Sequence, residues 1–263
     1  MTTIEDVGGW PEVLGRLSRG EDLEADTTRG VLGSILAGEA TDAQIAAFIV
    51  ALRQKGETTA EMTGMVEAML AAATPLHLPD DVIDIVGVGG SPSRRRHALN
   101  VSTMAAFVAA GAGAVVCKHG NRRASSTSGS IDLLEALGVT IDDTPARLEA
   151  VVGELGVGFA FARTFHPAMR HVAVVRAELG IPTVFNVPGP MSHPGRVRRQ
   201  VIGVSDWSIA QRMAEVLAAT GSVHTLIVHG DDGLDELTTT GTSTIIEYRD
   251  GELRQGPVDP SEL

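Results

Sequence analysis

The sequence predicts an α/β protein in which a small N-terminal helical domain precedes a larger α/β domain with a mostly parallel central sheet. Three observations carry this. The first ~75 residues show helical patterning alone, and short β-branched runs alternate with helical stretches after the punctuation at Pro75 and Pro79. The first of those runs, 82–86, stops at the closely spaced glycines Gly87, Gly89 and Gly90, as a strand does before a βα turn.

In order along the chain, Thr41 with Gln44 and Thr58 with Glu61 have capping-box spacing, each before an apolar helical face, 45–52 and 62–70. Beyond the glycines, 103–110 reads as helix, 114–117 as strand, 131–137 as helix, 145–155 as helix after a Thr144 cap, and 157–161 as strand. Helices over 168–179 and 208–219 and a strand over 223–228 follow. The segment 244–249, the Asp250-Gly251 turn and 252–255 predict a closing hairpin. The expected domains are 1–74 and 75–263.

Composition narrows the function classes. With 263 residues the chain can bury a sizeable core, and 43% hydrophobic residues with only 3% aromatics fit close helix-on-sheet packing. A net charge of −12 argues against a general nucleic-acid binder, because the phosphate backbone is repelled by such a field. The single cysteine, Cys117, excludes an internal disulfide and a multi-cysteine zinc site. With no charged-then-apolar leader and no apolar run of ~18 residues, the expectation is a cytoplasmic protein without a membrane segment.

Three constellations carry chemistry. The turn at Gly87, Gly89 and Gly90 lets backbone N–H groups approach a phosphate, although a tight βα turn has the same look; Asn100, Ser102 and Thr103 add a carboxamide and two hydroxyls where the next helix begins. The run 118–130, KHGNRRASSTSGS, crowds a strand-to-helix turn with donors: Lys118 offers a point charge, and Ser125, Ser126 and Ser130 offer hydroxyls to terminal phosphate oxygens. The acidic run 231–236, DDGLDE, follows the strand at 223–228 and supplies the oxygen ligands that a hydrated Mg²⁺ prefers, though a solvated acidic turn reads the same way. Phosphate donors at two strand ends and carboxylates at a third suit a metal-chelated diphosphate, in the place where open α/β sheets bind ligands.

At these residues the chain resembles the anthranilate phosphoribosyltransferase family, of the nucleoside phosphorylase-like class. The resemblance runs over essentially the whole length, through NVSTMAA from Asn100, KHGNRRASS from Lys118, LEALGV from Leu134, FHPAMRHVAVVRAELG from Phe165 and HGDDGLDELTTT from His229. It implies that 167–190 packs back onto the helical domain, and it implies Mg²⁺-dependent transfer of ribose 5-phosphate from phosphoribosyl diphosphate (PRPP) to the amine of anthranilate in tryptophan biosynthesis, with loss of pyrophosphate, by a homodimer. By position, Gly87, Gly89, Gly90, Asn100, Ser102, Thr103, Lys118, Ser126 and Ser130 would hold the donor. Ser102, Asp235 and Glu236 would serve the metal, while Asn121, His119 and Arg176 would face anthranilate. No protein nucleophile is expected.

Several positions depart from the family pattern. Val88 and Ser91 replace a threonine and an aspartate of the glycine loop, Ala98 replaces a threonine before the Asn-x-Ser-Thr segment, and a longer connection carries Arg94, Arg95 and Arg96. Pro188 and His193 depart within NVPGPMSHP. The family continues with more strand and helix past the position of Leu263, which implies a C-terminally incomplete chain: a truncated product, a fragment, or one completed by a partner. Two alternatives therefore stand beside the transferase. One is a catalytically weak or inactive paralogue acting on another aromatic acid or binding a phosphorylated ligand; the other is a nucleic-acid-binding relative, against which the net charge argues.

Overall fold

The computed structural model describes residues 3–89, 99–122, 129–141 and 144–262. In chain order its elements are α1 (Gly9–Ser18), α2 (Ala25–Ala37), α3 (Asp42–Lys55), α4 (Thr59–Ala72), β1 (Ile83–Gly87), α5 (Val101–Gly111), β2 (Val116–Gly120), α6 (Ser130–Ala136) and α7 (Pro145–Leu155). There follow β3 (Val157–Phe161), α8 (Ala162–Phe165), α9 (Arg170–Leu179), α10 (Pro188–Met191), β4 (Arg199–Gly203), α11 (Ala210–Ala219), β5 (His224–Gly230), β6 (Ser243–Arg249) and β7 (Glu252–Val258). The chain forms two compact units, Met1–Ala73 with His166–Ser192, and Thr74–Phe165 with His193–Leu263. No helix among the described residues is long and apolar enough to cross a membrane.

The first unit is all helical. Both capping boxes are formed: Thr41 accepts from Gln44 N–H at the start of α3, and Thr58 accepts from Glu61 N–H at the start of α4. Glu61 also reaches inward. It is fully buried, and its carboxylate accepts from the Lys55 ammonium at 2.9 Å and from Leu23 N–H at 2.9 Å, which satisfies an ion that burial would otherwise penalise. Around it, Val31, Leu32 and Ile35 of α2, Phe48, Ile49 and Leu52 of α3, Met65 of α4 and Val172 and Val175 of α9 form one apolar core.

The second unit is built on a seven-stranded sheet in the order β3-β2-β1-β4-β5-β6-β7. The first five strands are parallel, and β6 and β7 close the sheet as an antiparallel hairpin. Asp250 and Gly251 turn that hairpin with φ of 52° and 83°, as a two-residue primed turn requires. Both faces of the parallel part are covered. On adjacent positions of β2, Val116 joins Ala106, Ile131, Leu134, Phe159 and Phe161, while Cys117 joins Leu76, Val82, Leu148, Val152 and Ala160 in a separate cluster.

The sequence does not predict the short helices α8 and α10, and two strands differ from the expectation. β4 is the strand that local patterning does not reveal: its residues Arg199-Gln200-Val201-Ile202-Gly203 mix polar and apolar side chains, and their strand character comes from pairing with β1 on one side and β5 on the other. The strand expected over 114–117 instead runs from Val116 through Lys118 and His119 to Gly120, in register with β3. Lys118 and His119, turn residues by their polarity, are 3% and 5% exposed.

Candidate active site at the switch point of the sheet

Strand order runs outward from β1 in both directions, through β2 to β3 and through β4 to β5, so β1 and β4 flank the topological switch point. Ligands of open α/β sheets bind outside the carboxyl ends of the strands at this place. The two strands end there on a registered pair of glycines, Gly87 and Gly203. The turn beyond β1 continues through Val88, whose N–H donates to the Gly203 carbonyl at 2.9 Å, and Gly89, whose φ of 72° is reached by glycine without steric cost. The threonine-to-valine departure at 88 leaves this backbone bond untouched. Gly90, Ser91, Arg94, Arg95, Arg96, Ala98, Ser125 and Ser126 lie outside the described residues.

The acidic run after β5 lands on those glycines. Asp235 is 3% exposed, and its Oδ2 accepts from Gly89 N–H at 3.2 Å. A Cβ at Gly87 would sit 2.8 Å from the same oxygen, and one at Gly203 would overlap the Asp235 carbonyl, so the absent side chains form the cradle that admits this residue. The four carboxylates of 231–236 divide their work. Asp231 accepts from the hydroxyls of Thr242 and Thr244. Asp232 accepts from Thr238 Oγ1 at 2.7 Å, from the Thr240 hydroxyl and from Leu234 N–H, which hold its carboxyl below the ordinary range. These two build the loop, which His229 anchors by donating from Nδ1 to the Val204 carbonyl at 2.8 Å. Asp235 turns instead to the glycines, and the charge of Glu236 acts on Lys118.

Lys118 is buried on β2, where its ammonium donates to the Ile85 carbonyl at 2.6 Å and to the His119 carbonyl at 3.4 Å. Burial draws its pKa down from the ordinary value, and the carboxylates of Asp84 and then Glu236 push it back up. Lys118 therefore shares an electrostatic neighbourhood with the acidic loop. Asp84, fully buried, accepts from His119 N–H at 3.0 Å and from Gln200 Nε2 at 3.2 Å; burial pushes its carboxyl up against the pull of the Lys118 ammonium and these bonds. Sequence reasoning missed Asp84 and Gln200. The available signal was a lone carboxylate in the otherwise apolar run 82–86.

The remaining candidates are placed as follows. Asn100 precedes α5 without a side-chain capping bond, and Ser102 and Thr103 sit in its first turn. Thr103 Oγ1 is buried and has no hydrogen-bond partner among the described residues. Ser130 Oγ donates to the Asn121 carbonyl at 3.3 Å, and the close approach of Ser130 to Gly120 leaves no room for a Cβ there. His119 stacks edge-on against His193 with ring centroids 5.6 Å apart. His193 in turn accepts at Nδ1 from Gly195 N–H and donates from Nε2 to the Cys117 carbonyl at 2.9 Å, the bonds of a neutral imidazole. Arg176 belongs to the helical unit, where it donates to Asn186 Oδ1 at 3.0 Å, lies over the Phe185 ring and has its pKa drawn down by burial.

All the candidate metal ligands, Ser102, Asp235 and Glu236, offer oxygen. Among the described residues no group of three or more His, Cys, Asp or Glu side chains gathers as a protein cage for a metal. An oxygen set with two carboxylates fits Mg²⁺, which keeps its waters and is commonly completed by substrate phosphates, and does not fit zinc.

A helical unit followed by an α/β unit that presents glycines, a buried lysine and carboxylates at its switch point makes a two-domain α/β protein equipped for an anionic, metal-chelated ligand. Accordingly, residues 11–73 match the helical bundle domain of the glycosyl transferase family and residues 79–263 match its a/b domain. The chain belongs to the anthranilate phosphoribosyltransferase family. It is 53% identical over 254 residues to the anthranilate phosphoribosyltransferase of Nocardioides sp., covering 97% of this chain and 73% of that one, and 51% identical to that of Streptomyces griseus, covering 97% and 71%. Among solved structures, anthranilate phosphoribosyltransferase from Thermus thermophilus superposes with a TM-score of 0.87 at 43% identity, over 95% of this chain and 74% of that one. The Saccharomyces cerevisiae enzyme in complex with PRPP and Mg gives 0.85 at 30% identity, over 96% and 73%.

Proposed function

We propose that this protein transfers ribose 5-phosphate from PRPP to the amine of anthranilate, releasing pyrophosphate, with Mg²⁺ as cofactor. The observation that carries this is the meeting of the acidic loop with the glycine turn at the switch point, where Gly89 N–H donates to Asp235. Relatives of the same family are named for this activity, and the yeast enzyme has been solved with PRPP and Mg and with 4-fluoroanthranilate.

In this reading the glycine-turn amides at Gly87, Gly89 and Gly90, together with Asn100, Ser102, Thr103, Lys118, Ser126 and Ser130, hold the donor. Asn121, His119 and Arg176 serve the acceptor, with the Arg176 guanidinium suited to its carboxylate. Ser102, Asp235 and Glu236 would hold Mg²⁺, which would supply positive charge to the diphosphate when bound. The new bond forms between the amine nitrogen and the anomeric carbon as the bond from that carbon to the diphosphate oxygen breaks. The electron pair leaves with pyrophosphate, where the Lys118 ammonium offsets the growing negative charge. The amine nitrogen is itself the nucleophile and sheds its proton to solvent or to its own carboxylate. The protein's task is then positioning and electrostatics, which alone reach several kcal/mol in such sites.

The test follows anthranilate fluorescence. With PRPP and Mg²⁺ the signal is lost in step with one pyrophosphate released per anthranilate consumed, and chelation of the metal stops both. Constant fluorescence with saturating PRPP and Mg²⁺ overturns the reading.

Thr103 gives a second, independent check. A buried hydroxyl without a partner costs about 1–3 kcal/mol, so Thr103→Val is expected to raise unfolding stability by about 1 kcal/mol in a urea titration. The same variant is expected to raise the KM for PRPP roughly ten-fold, the loss of one hydrogen bond to an ionised group. A stabilised variant with unaltered KM would remove Thr103 from the donor site.

A further inference from the structure

β1 and β2 are neighbours in the parallel sheet, yet their register is the single pair Ile83–Val116, whereas β1 and β4 keep five pairs. Beyond that single pair, side chains join the two strands. The Asp84 carboxylate of β1 accepts from the His119 backbone N–H of β2, and the Lys118 ammonium of β2 donates to the Ile85 backbone carbonyl of β1. Both bonds are donated from β2 to β1, one onto a side chain and one from a side chain, and together they stitch the gap. On the far side, Gln200 of β4, the register partner of Asp84, donates to its second oxygen.

Packing alone does not call for this arrangement. Ile83, Ile85 and Val86 fill the rest of β1 with apolar side chains, and burying an ion is costly unless something returns the loss. We propose that Asp84 is a positioning residue for the transferase reaction: it fixes the place and the charge of the Lys118 ammonium, and so acts on the donor diphosphate without touching it. The inference rests on the reading above that Lys118 meets that diphosphate.

The surroundings of Lys118 agree. The charges that act on it are those of Asp84 on β1 and Glu236 in the loop after β5, and the nearby His193 has its pKa drawn down chiefly by burial. Asp84 exerts the larger of the two carboxylate effects on Lys118. It is also bonded to β2 and β4 together, so the position of its charge is set by the sheet itself.

Asp84→Asn keeps the shape and an acceptor oxygen for His119 N–H while removing the charge. We expect a rise of roughly ten-fold in the KM for PRPP together with a lower kcat, both through Lys118, and an anthranilate KM within about two-fold of the parent. The decisive measurement is a double-mutant cycle with Lys118→Met. If Asp84 acts through Lys118, Asp84→Asn has no further effect on donor KM in the Lys118→Met background. Full additivity, or an unchanged donor KM in Asp84→Asn while Lys118→Met weakens donor binding, overturns the inference alone. An unchanged donor KM in Lys118→Met itself overturns the assignment of Lys118 to the donor site. Should Asp84→Asn not fold, Gln200→Leu decides, since it removes one restraint on the same carboxylate: a smaller rise in donor KM that vanishes in the Lys118→Met background supports the inference, and an unchanged KM overturns it.

Discussion

Asp235→Asn is expected to lower turnover about 100- to 1,000-fold, or ~2.7–4 kcal/mol of transition-state stabilisation, with little change in stability. The substitution preserves size and an oxygen able to accept from Gly89 N–H, so the glycine turn keeps its tether. What goes is the negative charge over Gly87, where the acidic loop packs on the ends of β1 and β4. Asp231 and Asp232 cannot take over, because threonine hydroxyls already occupy their oxygens and fold the loop. Initial rates measured across a Mg²⁺ titration, with the melting temperature of each protein as control, check this. The variant should also need more metal for half-maximal rate. A rate within about three-fold of the parent at every Mg²⁺ concentration would exclude Asp235 as a ligand, because a charged metal ligand is worth far more than that.

Gly203→Ala is expected to destabilise the protein by about 3 kcal/mol, at the upper end of overpacking costs, lowering the melting temperature by about 6–12 °C. Alanine in a strand ordinarily gains about 0.5–1 kcal/mol over glycine through the unfolded state, so the expected sign here is set by the tertiary contact. The new methyl would overlap the Asp235 backbone carbonyl, and a backbone obstacle has no rotamer with which to move aside. Relief requires the acidic loop to lift from the end of β4. Turnover should therefore fall at temperatures where the variant is still folded, and half-maximal rate should need more Mg²⁺. Gly256→Ala on β7 is the control: nothing lies within 4 Å of a Cβ there, and its stability should match or exceed the parent. Equal melting temperatures for the Gly203 and Gly256 variants would refute the close packing of Asp235 on β4.

Much of the fold is legible because it is locally encoded. The capping boxes at Thr41 and Thr58 announce α3 and α4 through residues three apart, and Asp250-Gly251 announces the β6–β7 hairpin through its own backbone preference. The run 82–86 that ends in glycines marks β1 and the turn beyond it. β4 is invisible to the same reasoning, since Arg199 and Gln200 break its apolar pattern. Gln200 is buried for a reason that lies 116 residues away, at Asp84. Likewise Lys118 and His119 have the look of a polar turn, and only pairing with β3 and the bonds to β1 make them strand.

The sequence by itself determined most of the helices and strands, the alternation that makes the sheet parallel, and which side chains are candidates for a phosphate or metal site, all of which depend on residues a few positions apart. Tertiary structure decided which carboxylates are committed to folding the acidic loop and that Asp235 rests on glycines of two strands. It also decided that Lys118 is a buried ion stitched to its neighbouring strand. The physical reason is that burying charge and fitting backbone against backbone are settled between partners such as Gly89 and Asp235, 146 residues apart, which no local pattern records.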